Sequence, residues 1–476
     1  MKKPLSPTDI RYFKVRALKL ERNARKRKKR KSDKRTKIIR EYIRNKIFRE
    51  MAKDITNYNQ AINVFMPKNL RYLISHEKSP VYVKVATYSR YSKVAVFRIP
   101  RNFSIIDNPK DSYSAIKNIV DSLICQKCSE LWIDYQDCEC SDLITQIFLD
   151  SILKDWDIFI DRCIRANLVR FIKVGSIGGR NYIKPAIQKM LNSVGSPTIL
   201  LNRRIDYQQI IPFNLTYFDH DEHKDVELGA INEVDTTRLL EYVNKCLNRI
   251  GRELTAEAAS ALGTVIGETI INASEHSTLK SRYMIGYFED LSTDDTESKH
   301  GILNLVILNY GQSIYEKFKY PEESNEINYD CVRQMKELSD LYIKKGFFIP
   351  SEFKESTLWT LYALQQGVTI IPNANRGNGT IQFIDKFFAL GEHDKDKESR
   401  MYLLSGNTVI EIDGTYKLET IEDGSNNRMV MAFNKQGTLR EKPDKRYVKY
   451  STHFFPGTAI YARIVLNSSV TQNEKN

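Results

Sequence analysis

The residues best suited to chemistry lie in the second half of this chain, and the first of them share a helix. In ALGTVIGETIINASEHS, Glu268 and Asn272 are four apart and so lie on one helical face, with His276 four further on. Val265, Ile266, Ile270 and Ile271 give the same helix an apolar side for packing on a sheet. A carboxylate beside a carboxamide suits a magnesium and water site. The ion prefers oxygen ligands and keeps several waters, and the carboxylate can polarise a water or a hydroxyl. Next comes NLVILNYGQSI, an apolar strand that ends in Asn309, Gly311 and Ser313. A polar side chain at the end of a buried strand can read a base edge, and a glycine two residues on lets backbone approach a ligand. Third is Arg376-Gly377-Asn378-Gly379-Thr380, directly before the helical pattern IQFIDKFFAL. Free N–H groups and the helix dipole favour an anion at such a start, and Arg376 adds a cation. Last is Pro456-Gly457-Thr458, opening the strand AIYARIVL.

Taken singly, each piece is ordinary. A carboxylate and an amide four apart usually belong to a solvated helix face, and RGNGT alone reads as a loop. Their order is what carries information. In this sequence of elements, residues 234–466 resemble the GHKL superfamily of ATP-binding domains, and GETIINASEHS is especially similar to the N-box of histidine kinases and anti-sigma-factor kinases. The resemblance implies a Bergerat-type two-layer α/β sandwich over 234–476, with ATP and Mg2+ as cofactors. It implies Glu268 as the acid/base residue, Asn272 as the magnesium ligand and His276 near the phosphates. Gly311 would belong to a first glycine turn, with Asn309 and Ser313 around it. Gly377 and Gly379 would form the phosphate loop with Arg376, Asn378 and Thr380, and Thr458 would sit on the late strand. Residues 314–368 would be the ATP lid. Where the family has Asp, this chain has Asn309, which can accept a bond through its carbonyl oxygen or flip and donate. Ser313 stands where a glycine is usual.

The chemistry then has two forms, phosphoryl transfer to a partner protein or ATP hydrolysis coupled to the lid, both resting on magnesium and positioning. A built-in phosphoacceptor is not expected. His76 in SHEKSP echoes an H-box but has one residue too few before the proline and runs into a strand pattern, and His220 and His223 lack helical context. The alternatives are a non-catalytic nucleotide-sensing interaction protein, or a nucleic-acid-associated effector anchored by its N-terminus. The expected partners are a protein of unspecified identity and, in a homodimer, a second copy of the chain.

The elements that must hold these residues are partly legible. VDTTRLLEYVNKCLNRI and TAEAASALGTVIGETIINASEHS read as helices, RYMIGYFED and GILNLVILN as strands, and Met401 to Leu466 as strand-and-turn segments, with EIDG as a hairpin signal. In the first half, VYVKVATY, SKVAVFRI, SELWIDY and LVRFIKVG read as strands alternating with the helices SYSAIKNIVDSLI, SDLITQIFLDSILKDWDIFIDRC and YIKPAIQKMLNSV. Such alternation predicts an α/β layer with some parallel pairing. LWIDYQDCECSDLITQIFLDSIL is similar to a STAS-like domain, in which Ser141 would match the regulated serine. The expected organisation is a basic helical arm (1–65), a STAS-like α/β domain (66–195), a connector (196–233) and the GHKL domain (234–476).

Charge is unevenly spread. Of the net +14, residues 1–50 carry +16 (21 Lys and Arg against 5 Asp and Glu) and the rest −2. Block 22–40 is of the kind that repels itself and is often a disordered interaction tail. Residues 11–40 could meet nucleic acid, an anionic membrane surface or an acidic partner, and phosphate attraction alone does not choose among them. Behind the block, Ile39, Ile43, Ile47 and Met51 are four apart, a helical stripe. Cys125, Cys128, Cys138 and Cys140 include a zinc-like CxxC, but their context favours small buried thiols. No apolar run is long enough for a membrane span, and no signal-peptide core follows Met1, so the expectation is a cytoplasmic protein; the resemblance implies a bacterial one.

Overall fold

A computed structural model of the protein describes residues 38–39, 41–84, 90–172, 174–199, 205–220, 228–275, 277–292, 299–321, 328–343, 353–368, 379–391, 399–423 and 426–467. Helices α1 (41–51), α2 (Tyr58–Phe65) and α3 (Lys68–Ser75) lead into strands β1 (Arg90–Arg98) and β2 (Asn102–Phe103). Then come α4 (Pro109–Cys125), β3 (Gln126–Asp134), β4 (Cys140–Ser141), α5 (Leu143–Arg165), β5 (Val174–Arg180), α6 (Pro185–Val194) and β6 (Ile210–Asp219). The second half holds α7 (Leu228–Arg249), α8 (Ala256–Glu275), β7 (Ser281–Asp290), β8 (His300–Tyr310), α9 (Ile314–Lys319), α10 (Tyr329–Asp340) and α11 (Glu355–Ala363). It ends with α12 (Gly379–Phe388), β9 (Arg400–Ile412), β10 (Glu419–Asp423), β11 (Asn426–Val430) and β12 (Val448–Asn467).

Contacts group the chain into two compact units: Met1–Met66 with Asp157–Ile172, and Pro67–Trp156 with Lys173–Asn476. The grouping cuts across the chain-order segments expected from the sequence. In the first unit, Asn57 and Gln60 form a reciprocal capping box that starts α2. Phe48 meets Phe65 edge-on, and Arg162 donates to the Phe65 carbonyl at 3.1 Å. The charged block before α1 lies outside the described residues.

The second unit is mixed α/β. β1, β3 and β5 form a parallel sheet in that order, and α4 connects β1 to β3. Pro109 and Pro185 start α4 and α6, where a missing N–H costs nothing. Two expectations need correction here. LVRFIKVG is not a strand throughout: Val169–Phe171 is a 3-10 turn, and β5 begins at Val174. Three of the seven residues of β5 are glycine, a composition that hides a strand. VYVKVATY is not a strand over 81–84, and 85–88 lie outside the described residues.

The larger sheet is antiparallel throughout, in the order β6-β7-β8-β12-β9. β6 falls inside the expected connector. Pro212, Asn214 and a register shift between Phe213 and Thr216 disguise it as a loop, which an edge strand tolerates. The turn at Asp413-Gly414 is real (φ of Gly414 is +80°), but β9 pairs with β12 rather than with the strand that follows it.

One face of this sheet meets the helices as expected. Met284, Phe288, Leu303, Leu305, Ile307, Leu403, Ala462 and Ile464 alternate inward into one core with residues of α7, α8 and α12. The other face is covered too, so the two-layer expectation describes only half of the arrangement. Asn69 of α3 donates to the Tyr283 hydroxyl at 2.7 Å and accepts from Ser281 at 2.8 Å. On α5, Ser151 shares a hydrogen with Tyr310 at 2.6 Å, and Asp155 accepts from the Leu70 amide at 3.1 Å. Strands buried on both sides read as near-continuous apolar runs, which is the character of NLVILNY.

Candidate functional site

Helix α8 buries Val265, Ile266, Thr269 and Ile270 and leaves Glu268 and Asn272 half-buried on an adjoining stripe. Glu268 is unusual there. Its Oε2 is buried without a hydrogen-bond partner, and burial pushes the carboxyl above the ordinary glutamate value. An unpartnered buried acceptor is costly, so each one in a folded protein calls for an explanation.

The end of α8 is fixed to the end of β8. Ser277 donates to the Tyr310 carbonyl at 2.8 Å, and the Gln312 amide donates to the Thr278 hydroxyl at 3.2 Å. Gly311 has φ of +126°, and a Cβ there would stand 3.1 Å from that of Thr278, so the turn requires glycine. Just before it, Asn309 continues the alternation of Leu303, Leu305 and Ile307, which puts it on the helix-covered face. Thr458 pairs with Asn309, and Ser405 pairs with Thr458, making a polar row across three strands. The Thr458 and Ser405 hydroxyls share a hydrogen at 2.9 Å. Asn309 is 4% exposed, and its Nδ2 has no partner. Gly457 has φ of +148°, and a Cβ there would stand 2.0 Å from the Asn309 carbonyl oxygen, so only glycine lets β12 pass this close.

At the far end of the sheet, Arg252 donates to the carbonyls of Leu390 (3.0 Å) and Asn467 (3.2 Å). Asn467 pairs with His300 at the start of β8, whereas Thr458 pairs with Asn309 at its end. The C-terminus of α12 is thus held near the start of α8, and α12 packs on that helix. Its first described residues are Gly379 and Thr380. Arg376, Gly377 and Asn378 lie outside the described residues, as does His276.

The remaining residues have other tasks. Ser313 is the N-cap of α9, accepting from the Glu316 amide while the Glu316 carboxylate accepts from the Ser313 amide and hydroxyl. The pattern Ser313-Ile314-Tyr315-Glu316 is a capping box visible in the sequence. Burial alone would raise Glu316, but Lys78 at 2.6 Å and the Ser313 donors hold it below the ordinary value. The proposed lid, 314–368, contains α9, α10 and α11 among its described residues. Leu358, Trp359 and Leu361 of α11 are buried in the core.

Sequence reasoning missed a group from the first half. Tyr72 donates to the Gly311 carbonyl at 2.9 Å, and the His76 ring stacks between Tyr72 and Phe454. His76 caps the C-terminus of α3, its Nδ1 is buried without a partner, and burial lowers its pKa. More than two hundred residues separate Tyr72 from Gly311, and no local signal joins them. Ser141 is half-buried at the end of β4, its hydroxyl 3.4 Å from the Asp142 carbonyl. The cysteines do not converge: Cys138 bonds the Cys140 carbonyl and Cys140 bonds Asn102, and the described residues contain no metal-holding group of three His, Cys, Asp or Glu.

No known protein family matches this chain, and no curated protein and no solved structure is significantly similar to it.

Proposed function

We propose that the chain binds a nucleoside triphosphate with Mg2+, ATP by the GHKL resemblance, between α8, the end of β8, the middle of β12 and the start of α12. What supports the reading is that Asn309 and Thr458 are paired neighbours, that the end of β8 is tied to the end of α8, and that α12 packs on α8. The residues fit the ligand. Glu268 Oε2 and Asn309 Nδ2 are buried polar atoms lacking partners, and a carboxylate with a carboxamide one turn away is the oxygen set that magnesium takes alongside phosphate and water.

In this reading the Asn309 amide meets the base edge through its carbonyl oxygen or its N–H. The N-terminal amides of α12 hold phosphate oxygens. The Asn272 amide oxygen would hold the metal, and Glu268 would take the proton from the water or hydroxyl that displaces ADP at the γ-phosphate. A carboxyl raised by burial is the stronger base for that transfer. Bound magnesium supplies charge neutralisation on the transferring phosphate. Hydrolysis and transfer to a partner protein both use this arrangement.

The test is titration of the full chain with a fluorescent ATP analogue, with and without Mg2+, followed by turnover. Glu268→Ala should keep binding and lower turnover by about two to four orders of magnitude. Asn272→Ala should weaken the magnesium-dependent part of binding. Binding without turnover in the native chain would leave the non-catalytic sensor as the function. Absence of binding to any purine triphosphate with Mg2+ would end the proposal.

A further inference from the structure

Six exposed large apolar side chains fall on one short segment: Ile38, Ile39, Tyr42, Ile43, Ile47 and Met51, each 47–69% exposed. Helix α1 has a docked side and a bare one. Glu41 and Asn45 accept from Arg165 at 3.3 and 3.1 Å, and Phe48 packs on Phe65. These three are spaced four and three apart and define one stripe. Ile39, Ile43 and Ile47, four apart, define the opposite stripe. Lys46 borders it, Arg44 and Arg49 fall nearer the docked stripe with Arg44 over the Phe48 ring, and Glu50, in line with the isoleucines, is paired with Lys53. Directly upstream, residues 22–37 carry eleven Lys and Arg against a single Asp.

We propose that α1 lies on an anionic lipid bilayer, with the isoleucine stripe at the acyl boundary and the flanking cations among the headgroup phosphates. Interfacial helices combine these two features, apolar burial and attraction to anionic lipid, and polybasic segments beside them strengthen the attraction. Two other occupants use only part of the surface. A nucleic acid would satisfy the cations and leave the isoleucines in water. A second copy would bring two strongly cationic segments together, and the four-residue spacing lacks the alternating threes and fours of a heptad seam. Helix α1, at 41–51, is too short to cross a bilayer and is suited to lying on its surface.

The experiment is flotation of the full chain with phosphatidylcholine vesicles, with and without phosphatidylglycerol, at low and high salt. Binding to the anionic vesicles only, weakened by salt, is expected. Ile43→Glu with Ile47→Glu should weaken it by about tenfold or more. Both positions are exposed, so the thermal midpoint should not move. An unchanged vesicle affinity in that variant would overturn the proposal, as would failure to float with anionic lipid. So would retention on duplex DNA alone, or a dimer in sedimentation that the variant converts to monomer without any lipid binding.

Discussion

Ser277 at the end of α8 donates its hydroxyl to the carbonyl of Tyr310 at the end of β8, across 2.8 Å in the buried interior. The bond ties the segment after α8 to the last residue of β8, the two elements that carry Glu268, Asn272 and Asn309. Ser277→Ala leaves a buried carbonyl unsatisfied and should cost about 1–3 kcal/mol. The proposed site should also lose nucleotide affinity. Urea denaturation and nucleotide titration of the same sample check both, and stability loss with unchanged affinity would separate the tether from the site.

Asn309 presents a donor and an acceptor, and an aspartate only acceptors. Asn309→Asp should therefore narrow binding to purines that carry an exocyclic amino group at the reading edge. Competition of ATP against its 6-oxo counterpart, inosine triphosphate, in both proteins measures this. An equal ratio in the two would remove Asn309 from the base edge.

Asp150 lies fully buried on α5, accepting from Gln146 and Ser196 at 2.8 Å each, and burial pushes it up to about 7. The folded chain therefore keeps a proton that the unfolded chain releases above the ordinary aspartate value. This contribution to stability is complete at acid pH and is lost as pH rises to about 7, a change on the order of a few kcal/mol. Asp142, pushed up to about 6 chiefly by burial, adds a slope of the same sign. Asp150→Asn should flatten the decline in urea midpoint between mildly acidic and mildly alkaline buffer. A decline as steep as that of the native chain would show that Asp150 does not drive it.

Arg282 of β7 is fully buried, donating to Asp235 and to Asn232 of α7, with Phe218 under its guanidinium at 4.5 Å. Asp235→Ala strands a buried cation and should cost about 3–5 kcal/mol. Replacing both partners with leucine should cost much less. Thermal midpoints of the single and double variants decide it, and equal losses would mean the pair acts through shape alone.

How much of this was legible in the sequence varies with how local the cause is. α8, β7 and β8 could be read directly, because GTVIGETIINAS has a helical apolar side and NLVILN is an unbroken apolar run. The polar row could be half read: Asn309 stood out at a strand end, but Thr458, read as opening a strand, lies midway along β12, and their pairing depends on β12 entering between β8 and β9. Ser313 was visible as a cap through Glu316 and was read instead by position in a motif. β6 was hidden by Pro212 and Asn214. The docking of Tyr72 on Gly311 left no trace, since long-range contacts of that kind have no periodicity.

Covering both faces of the large sheet has a practical corollary. Tyr283 and Tyr310 bond to side chains of α3 and α5, far upstream in the chain. A fragment cut at 234 to isolate the second half would bare a broad aromatic face and lose β6, one of the sheet's edge strands. Such a fragment should aggregate, and the shortest autonomous version of this half has to begin near Pro67.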